Sequence, residues 1–142
     1  LPDNSHRVPL GKAAVQREGT DVTVVSYARM AGEARIAAAT AAEQGISVEV
    51  IDLRTIAPWD RDTVLASAKK TGRVLIAHEA VKQHGVGAEI AAVINEELFG
   101  QLKKPVKRLG GTFSPVPYSK PLESAFAPNA DVILAAINEL VN

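Results

Sequence analysis

The sequence predicts an α/β domain in which helices cover both faces of a mostly parallel sheet. Two observations indicate this class: apolar runs of strand length alternate with helical patterns, and glycines follow the ends of the predicted helices. Parallel strands joined by helices require right-handed crossovers, which place helices on both sides of the sheet. With 142 residues, the chain fits one compact domain.

The first part of the chain predicts a linker, two strands and a helix. Residues 1–9 hold turn-forming residues without periodicity, so we expect an incoming linker before a single domain over residues 10–142. Residues 12–17 and 22–27 flank a turn at Glu18-Gly19-Thr20, which predicts a hairpin and hence one antiparallel strand. The alanine-rich segment from Ala28 predicts a helix that stops at Gly45.

The middle of the chain repeats the strand–helix unit. Residues 48–53 predict a buried strand, and Asp60 is expected to cap a helix over residues 61–70. Residues 74–76 form an apolar run that is too short for a stable helix and predicts the central strand. The next helix is expected over residues 88–98, where apolar residues recur at helical spacing.

The last part of the chain predicts a strand, a loop and a helix. Residues 105–109 predict a short strand, and the proline-rich stretch 110–128 has no helical period and predicts an ordered surface loop. Asn129 or Asp131 is expected to cap the final helix. The residues expected to point inward are Val132, Ile133, Ala136, Ile137 and Leu140.

The composition excludes several classes of protein. Sixteen basic residues balance sixteen acidic ones, which argues against a nucleic-acid surface or a polybasic membrane anchor. The absence of cysteine excludes disulfides, thiolate catalysis and zinc sites with sulfur ligands, and is compatible with the cytoplasmic location that we expect. No stretch reaches the length of a membrane span. The start at Leu1 indicates a piece of something longer.

His78 and Glu79 follow the central apolar run, at the kind of sheet edge where ligands and partners gather. They could act as a proton donor pair, bind an anion or join an interface. The commoner interpretation is that they satisfy nearby backbone groups. They do not belong to the zinc motif of metalloproteases, because the position of its second histidine is Lys82.

Gly85-Val86-Gly87 precedes a predicted helix and invites a dinucleotide-binding interpretation. The third glycine of that fingerprint is replaced by Ile90, so the motif is incomplete. The turn could still hold an anion at the helix N-terminus, but a tight turn that needs no side chains is the simpler interpretation.

Three further features stand in loops or at edges. Arg54 is expected to form an ion pair with Asp52, with anion binding as the alternative. Trp59 is expected to pack under the start of a helix or to anchor a subunit contact. A local basic cluster is either a solvated edge or a docking patch, and it comprises Lys103, Lys104, Lys107 and Arg108.

Several short motifs together resemble the C-terminal domain of transketolase-like enzymes. The most similar branch is the beta subunit of thiamine-diphosphate-dependent 2-oxo-acid or acetoin dehydrogenases. The matching positions are Pro9-Leu10-Gly11-Lys12-Ala13, Asp52-Leu53-Arg54-Thr55 with Pro58 and Asp60, His78-Glu79-Ala80, Gly85, Gly87-Ala88-Glu89-Ile90, and Pro115 with Pro117-Tyr118, Glu123 and Pro128. The resemblance implies a three-layer αβα domain on a mixed, mostly parallel five-stranded sheet with one antiparallel strand.

The resemblance also implies where the chemistry resides. In this family, thiamine diphosphate and its magnesium are held by the alpha subunit and by the preceding domain of the beta subunit. We therefore expect no catalytic residue, cofactor-binding residue or metal ligand in this chain, which is predicted to be inactive alone. The candidate interface or active-site-edge residues are Arg54, Trp59, His78, Glu79, Gly85, Gly87, Tyr118 and Glu123.

The partners implied by the resemblance are an alpha subunit and a second beta subunit in a heterotetramer, together with an acyltransferase core. The basic docking domain of such a core would meet positive charge at Lys103 and Lys104, where family members often carry an acidic residue. Two alternatives stay open: a non-catalytic binding module of the same fold, and the matching domain of a sugar-phosphate transketolase.

Overall fold

The computed structural model describes residues 7–142, so most of the predicted linker over 1–9 lies outside the described residues. Five strands form one sheet in the order β1-β3-β2-β4-β5. Neighbouring strands run parallel except β1, which is antiparallel to β3. Their bounds are β1 (Ala14–Arg17), β2 (Val22–Ser26), β3 (Val48–Asp52), β4 (Val74–Val81) and β5 (Lys107–Gly111).

Five helices complete the three-layer αβα arrangement, which confirms the predicted fold class. The side chains of neighbouring strand residues point to opposite faces, so Val24 and Leu75 enter one core whereas Val25 and Ile76 enter the other. Helices α1 and α5 cover the first core, and α2 and α3 cover the second. The helices are α1 (Arg29–Glu43), α2 (Arg61–Thr71), α3 (Val86–Glu97), α4 (Lys120–Phe126) and α5 (Ala130–Val141).

The predicted hairpin of the first two strands was wrong. β2 pairs with β3 on one side and β4 on the other, so it has no free edge, and β1 pairs with the outer edge of β3. The connection from β1 to β2 crosses the start of β3, where a Cβ on Gly19 would lie 2.2 Å from the backbone of Val48 and Glu49. Glycine is needed at this position because the two chain segments cross too closely to leave space for a side chain.

The helix caps follow the sequence closely. The Asp60 carboxylate accepts the backbone N–H of Thr63 at 3.3 Å, and α2 ends at Gly72, which has a φ of +70°. Of the two candidates for α5, Asn129 is the cap, and its side chain accepts the N–H of Val132 at 3.0 Å. Val132 itself is 45% exposed, so its predicted inward position was wrong.

Strand β4 is longer than the apolar run that predicted it. It extends to Val81, so His78 and Glu79 lie within the strand and not beyond its end. The ladder to β2 stops at Ala77, whereas pairing with β5 resumes at Val81 after an irregularity. The extension is therefore held by β5, a long-range pairing that the local sequence does not reveal.

The predicted loop over residues 110–128 contains a helix. Gly110 and Gly111 complete β5, and α4 follows the short stretch 112–119. Helix α4 has no buried residue, so it lacks the apolar periodicity by which helices are recognised in a sequence.

Candidate functional site

The strand order places a topological switch point between β2 and β4. From β2 the chain passes through α1 to β3 on one side, and from β4 it passes through α3 to β5 on the other. In open α/β sheets, the crevice outside the carboxyl ends of two such strands is where ligands bind. At this point of the sheet lie Tyr27 and Arg29, which follow β2, and His78 and Glu79 of β4.

The His78 imidazole is completely buried on the side of the sheet that α2 and α3 cover. Its Nδ1 lies 2.9 Å from the Ala80 carbonyl oxygen, which only accepts hydrogen bonds, so Nδ1 carries a proton and donates. Nε2 has no hydrogen-bond partner in the described structure. Burial lowers the pKa of His78, and the positive charge of Arg108 lowers it further, against the opposing effect of the Ala80 bond.

Three glycines form a cage around this imidazole. A Cβ at Gly85 would lie 2.8 Å from Cε1 of His78, one at Gly87 would lie 2.6 Å from Nε2, and one at Gly110 would lie 3.0 Å from Cε1. The ring of Tyr27 stacks on the same imidazole, with centroids 6.1 Å apart and planes 24° apart. In this structure, Gly85-Val86-Gly87 makes room for a buried histidine.

Glu79 lies on the other side of the sheet from the His78 ring. Its Oε1 is 3.1 Å from Nε of Arg29, the first residue of α1, and both side chains are partly exposed. Burial raises the pKa of the nearby Tyr27 phenol, and the negative charge of Glu79 adds to this effect. A solvated ion pair of this kind can exchange its partners at low cost.

A cleft of about 490 Å³ opens beside the ion pair. Arg29 and Glu79 line it together with residues of the stretch after β5, among them Val116, and of α4, among them Glu123 and Phe126. Its volume falls in the range of ligand and side-chain pockets. The cleft has a mostly apolar lining with three charged groups: the guanidinium of Arg29 and the carboxylates of Glu79 and Glu123.

Large apolar side chains are exposed around this cleft. We call this surface the loop–α4 face, and it comprises Phe113 at 69% exposure, Val116 at 67%, Leu122 at 60% and Tyr118, which is fully exposed. Large exposed apolar patches on a folded domain mark interaction sites. Val116 also lines the cleft, so the cleft and this face adjoin.

The structure does not bring all the predicted site residues together. His78, Glu79, Gly85 and Gly87 meet at the switch point, and Glu123 lines the adjoining cleft. Tyr118 belongs to the loop–α4 face. Tyr27, Arg29 and Gly110 also belong to the site but were missed. The predicted hairpin concealed that β2 and β4 are neighbours, which brings in Tyr27 and Arg29, and Gly110 joins the site only through the pairing of β5 with β4.

Arg54 and Trp59 lie apart, in the connection from β3 to α2. The described residues include no ion pair between Arg54 and Asp52; instead, the Arg54 backbone N–H donates to the Asp52 carboxylate at 3.1 Å. Arg54 has a φ of +58° and is exposed. Trp59 packs, partly buried, against the core that α2 and α3 cover.

The side chains of the basic cluster contact different parts of the chain. Lys103 Nζ donates to the Thr71 carbonyl oxygen at 3.0 Å, at the end of α2, and Arg108 donates to the Lys82 carbonyl oxygen at 3.1 Å. Lys107 forms an ion pair with Glu139. Three of its four charges therefore have partners within the chain.

No group of three or more histidine, cysteine, aspartate or glutamate side chains among residues 7–142 is placed to hold a metal ion. Within the same range, no helix has the length and apolar character that crossing a membrane requires.

Together the geometry defines an α/β domain of the three-layer class with an ion-paired crevice at its switch point. The sequence model of the family described as "Transketolase, C-terminal domain" matches residues 11–133. The chain therefore belongs to the transketolase C-terminal domain family.

The chain is similar to curated beta subunits of 2-oxo-acid dehydrogenases and to a solved transketolase structure. A mitochondrial pyruvate dehydrogenase E1 component subunit beta-1 of Arabidopsis thaliana is 47% identical over 134 residues, covering 94% of this chain and 37% of that protein. A mitochondrial 2-oxoisovalerate dehydrogenase subunit beta of Chaetomium thermophilum is 51% identical over 121 residues, covering 82% of this chain and 26% of that protein.

The solved structure is described as a split gene transketolase, an inactive beta4 tetramer. It matches with a TM-score of 0.84 and 30% identity over 96% of this chain and 44% of that chain. The chain thus spans less than half the length of each of these proteins.

Proposed function

We propose that the chain is the C-terminal domain of the beta subunit of a thiamine-diphosphate-dependent 2-oxo-acid dehydrogenase. The observation that carries the proposal is the 47–51% identity to beta subunits of pyruvate and 2-oxoisovalerate dehydrogenases over most of the chain. The whole enzyme oxidatively decarboxylates its substrate and transfers the acyl group to lipoyl groups. This domain contributes subunit contacts and a docking surface for the acyltransferase.

The loop–α4 face supports the assembly role. Phe113, Val116, Tyr118 and Leu122 are exposed within one short stretch, next to the cleft that holds the Arg29–Glu79 ion pair. Burying such side chains against another subunit removes apolar area from water, which drives association. The partners for this surface are an alpha subunit or a second beta subunit of the heterotetramer.

We expect the cofactor to be held by the rest of the complex. A magnesium ion bound to a diphosphate usually takes one or two protein carboxylates, phosphate oxygens and waters as ligands. Residues 7–142 contain no larger metal-binding group, that is, no cluster of three or more acidic or histidine side chains placed to hold a metal ion. We assign no step of the reaction to these residues.

The experiment is to replace two residues of the loop–α4 face in the full-length protein. Tyr118→Ser together with Leu122→Ser should weaken assembly with the alpha subunit, which size-exclusion chromatography with light scattering measures. Activity with pyruvate, a branched-chain 2-oxo acid and acetoin should fall in parallel, while the melting temperature of the separate subunit should stay unchanged.

A matched control is available at Phe99. It is 89% exposed but follows α3, outside the loop–α4 face. Phe99→Ser should therefore leave assembly unchanged. If the double variant assembles like the wild-type protein, the face does not serve subunit contacts. If the wild-type complex oxidises none of the three substrates, the assignment to this enzyme class is wrong.

The second candidate function is the matching domain of a sugar-phosphate transketolase. The similarity to the split gene transketolase favours it, although the identity of 30% is lower than that to the beta subunits. The same complex assayed with a ketose phosphate donor and an aldose phosphate acceptor distinguishes the two proposals.

A further inference from the structure

A second groove lies on the flank of the domain, between β1 and the outer side of α1. Its volume is about 550 Å³, and we call it the β1–α1 groove. Its floor contains Ile36, a large aliphatic residue that is 58% exposed in the middle of a helix. The lining residues are Gln16, Arg17, Gly32, Arg35, Ile36 and Ala39.

Gly32 is an unexpected residue at its position inside α1. Glycine weakens a helix relative to alanine because it loses more backbone freedom on folding. A close internal contact is the usual reason for keeping it, but nothing lies within 4 Å of the place where a Cβ would stand. No packing contact within the described part of the chain therefore requires glycine here. The absence of a side chain at Gly32 leaves a hollow in the groove.

Two arginines border this hollow without partners. Arg17 of β1 and Arg35 of α1 form no ion pair or hydrogen bond by side chain among residues 7–142, although the chain carries equal numbers of acidic and basic residues. The Gln16 amide is already engaged, since it donates to Asp52 at 3.0 Å. No carboxylate lines the groove. Its charge is therefore purely positive.

We propose that the β1–α1 groove docks an acidic amphipathic helix of a partner protein. An aliphatic side chain of that helix enters the hollow at Gly32 and packs on Ile36, and carboxylates one turn away on either side pair with Arg17 and Arg35. A helix fits because Gly32 and Ala39 leave small side chains about two turns apart on the same face of α1. The site is separate from the loop–α4 face and does not depend on the proposed function.

The test uses the full 142-residue chain and two fluorescein-labelled helical peptides in anisotropy titrations. Both peptides carry a central leucine; the acidic one has glutamates a turn before and after it, and the other has lysines at those positions. The acidic peptide should bind saturably and the lysine peptide should not. Raising the salt concentration should weaken binding, because exposed ion pairs are screened within about 8 Å at physiological ionic strength.

Three variants locate the binding. Arg17→Glu with Arg35→Glu should reduce the affinity for the acidic peptide about tenfold or more and create affinity for the lysine peptide. Gly32→Leu fills the hollow and should reduce affinity for the acidic peptide without a charge change. Gly32→Ala should also reduce this affinity, and it does so with a residue that stabilises the helix. Lys69→Glu, an exposed charge change on α2, should have no effect.

The proposal is overturned if the acidic peptide fails to bind, if both peptides bind equally well, or if the groove variants bind like the wild-type chain. Sedimentation of the chain alone tests whether a second copy of the chain fills the groove instead. Self-association that Gly32→Leu abolishes would mean that a second copy fills the groove and would also overturn the proposal.

Discussion

Arg29 Nε and Glu79 Oε1 lie 3.1 Å apart and join the ends of β2 and β4 on the side of the sheet that α1 and α5 cover. His78, the residue before Glu79, points to the opposite side, where its ring is enclosed by glycines and Tyr27. Adjacent residues of one strand thus serve different purposes. Glu79 is available to a partner, whereas His78 belongs to the interior, so their roles can be separated by substitution.

Replacing Glu79 should affect the assembled enzyme more than the fold. Glu79→Gln removes a partly exposed ion pair, so we expect the free energy of unfolding to fall by only about 0.2–1 kcal/mol. In the full-length complex, activity should fall further than this loss of stability explains, because the cleft loses one of its charges. Arg29→Gln is the matched variant from the other side of the pair. Equal losses of stability and activity in both variants would show that the pair is structural.

The glycine cage predicts a steric penalty that depends on His78. Gly87→Ala places a Cβ 2.6 Å from Nε2 of His78, so we expect a loss of about 1–3 kcal/mol in urea unfolding. In a His78→Ala background, the same substitution should cost much less, because the clash with the imidazole is gone and only the contact with Ile76 at 3.1 Å remains. Gly32→Ala is the control and should stabilise the chain by about 0.5–1 kcal/mol. Additive effects of the His78 and Gly87 substitutions would contradict the cage.

The buried histidine predicts that stability falls in mild acid. The native pKa of His78 is lowered, so below the unfolded value of about 6.5 the unfolded chain binds a proton that the folded chain resists. The free energy of unfolding should therefore decrease as the pH falls below that value, by at most about 1.4 kcal/mol per pH unit from this group. His78→Leu should flatten the profile between pH 7 and pH 5. An unchanged slope would place the pH dependence in other residues.

Lys103 is predicted to support the end of α2. Its ammonium group donates to the Thr71 carbonyl oxygen, and its stem packs over Gly72, where a Cβ would be 3.0 Å away. Lys103→Glu should cost about 1 kcal/mol in thermal unfolding, because a carboxylate would face the negative end of the helix. Lys103→Met keeps most of the stem and should cost less. If docking of an acyltransferase is to be tested at this edge, Lys104→Glu is the better variant, since Lys103 has this internal role.

Cofactor binding can be tested on the chain itself. Titration calorimetry with magnesium and thiamine diphosphate should give no saturable heat, because we propose that the rest of the complex holds the cofactor and its metal. The full-length protein with its alpha subunit is the positive control. Micromolar binding by the isolated chain would overturn the assignment of the cofactor to the rest of the complex.

Local sequence patterns predicted where the helices and strands of this fold lie. They predicted less well which strands are neighbours in the sheet. The alanine-rich stretch predicted α1 to within a few residues, and Asp60 and Gly72 marked the two ends of α2, because caps act over a few residues. β1 lies next to β3 because the connection from β1 to β2 crosses the start of β3. A turn signal such as Glu18-Gly19-Thr20 contains no information about this crossing.

The site was predicted in part for the same reason. His78, Glu79, Gly85 and Gly87 are close in sequence and were identified together. Gly110 meets His78 only because β5 pairs with β4, and Arg29 meets Glu79 only because β2 does. Helix α4 escaped prediction because a helix without a buried face has no period to detect.

The two outermost strands carry features that discourage aggregation. β1 is only four residues long and changes register between Val15 and Arg17, and β5 begins with Lys107 and Arg108. Short, irregular and cationic strands are poor templates for pairing with a foreign strand. A concentrated solution of the chain should therefore resist fibril formation, and its assemblies should depend on side-chain surfaces instead of a sheet continued from one molecule to the next.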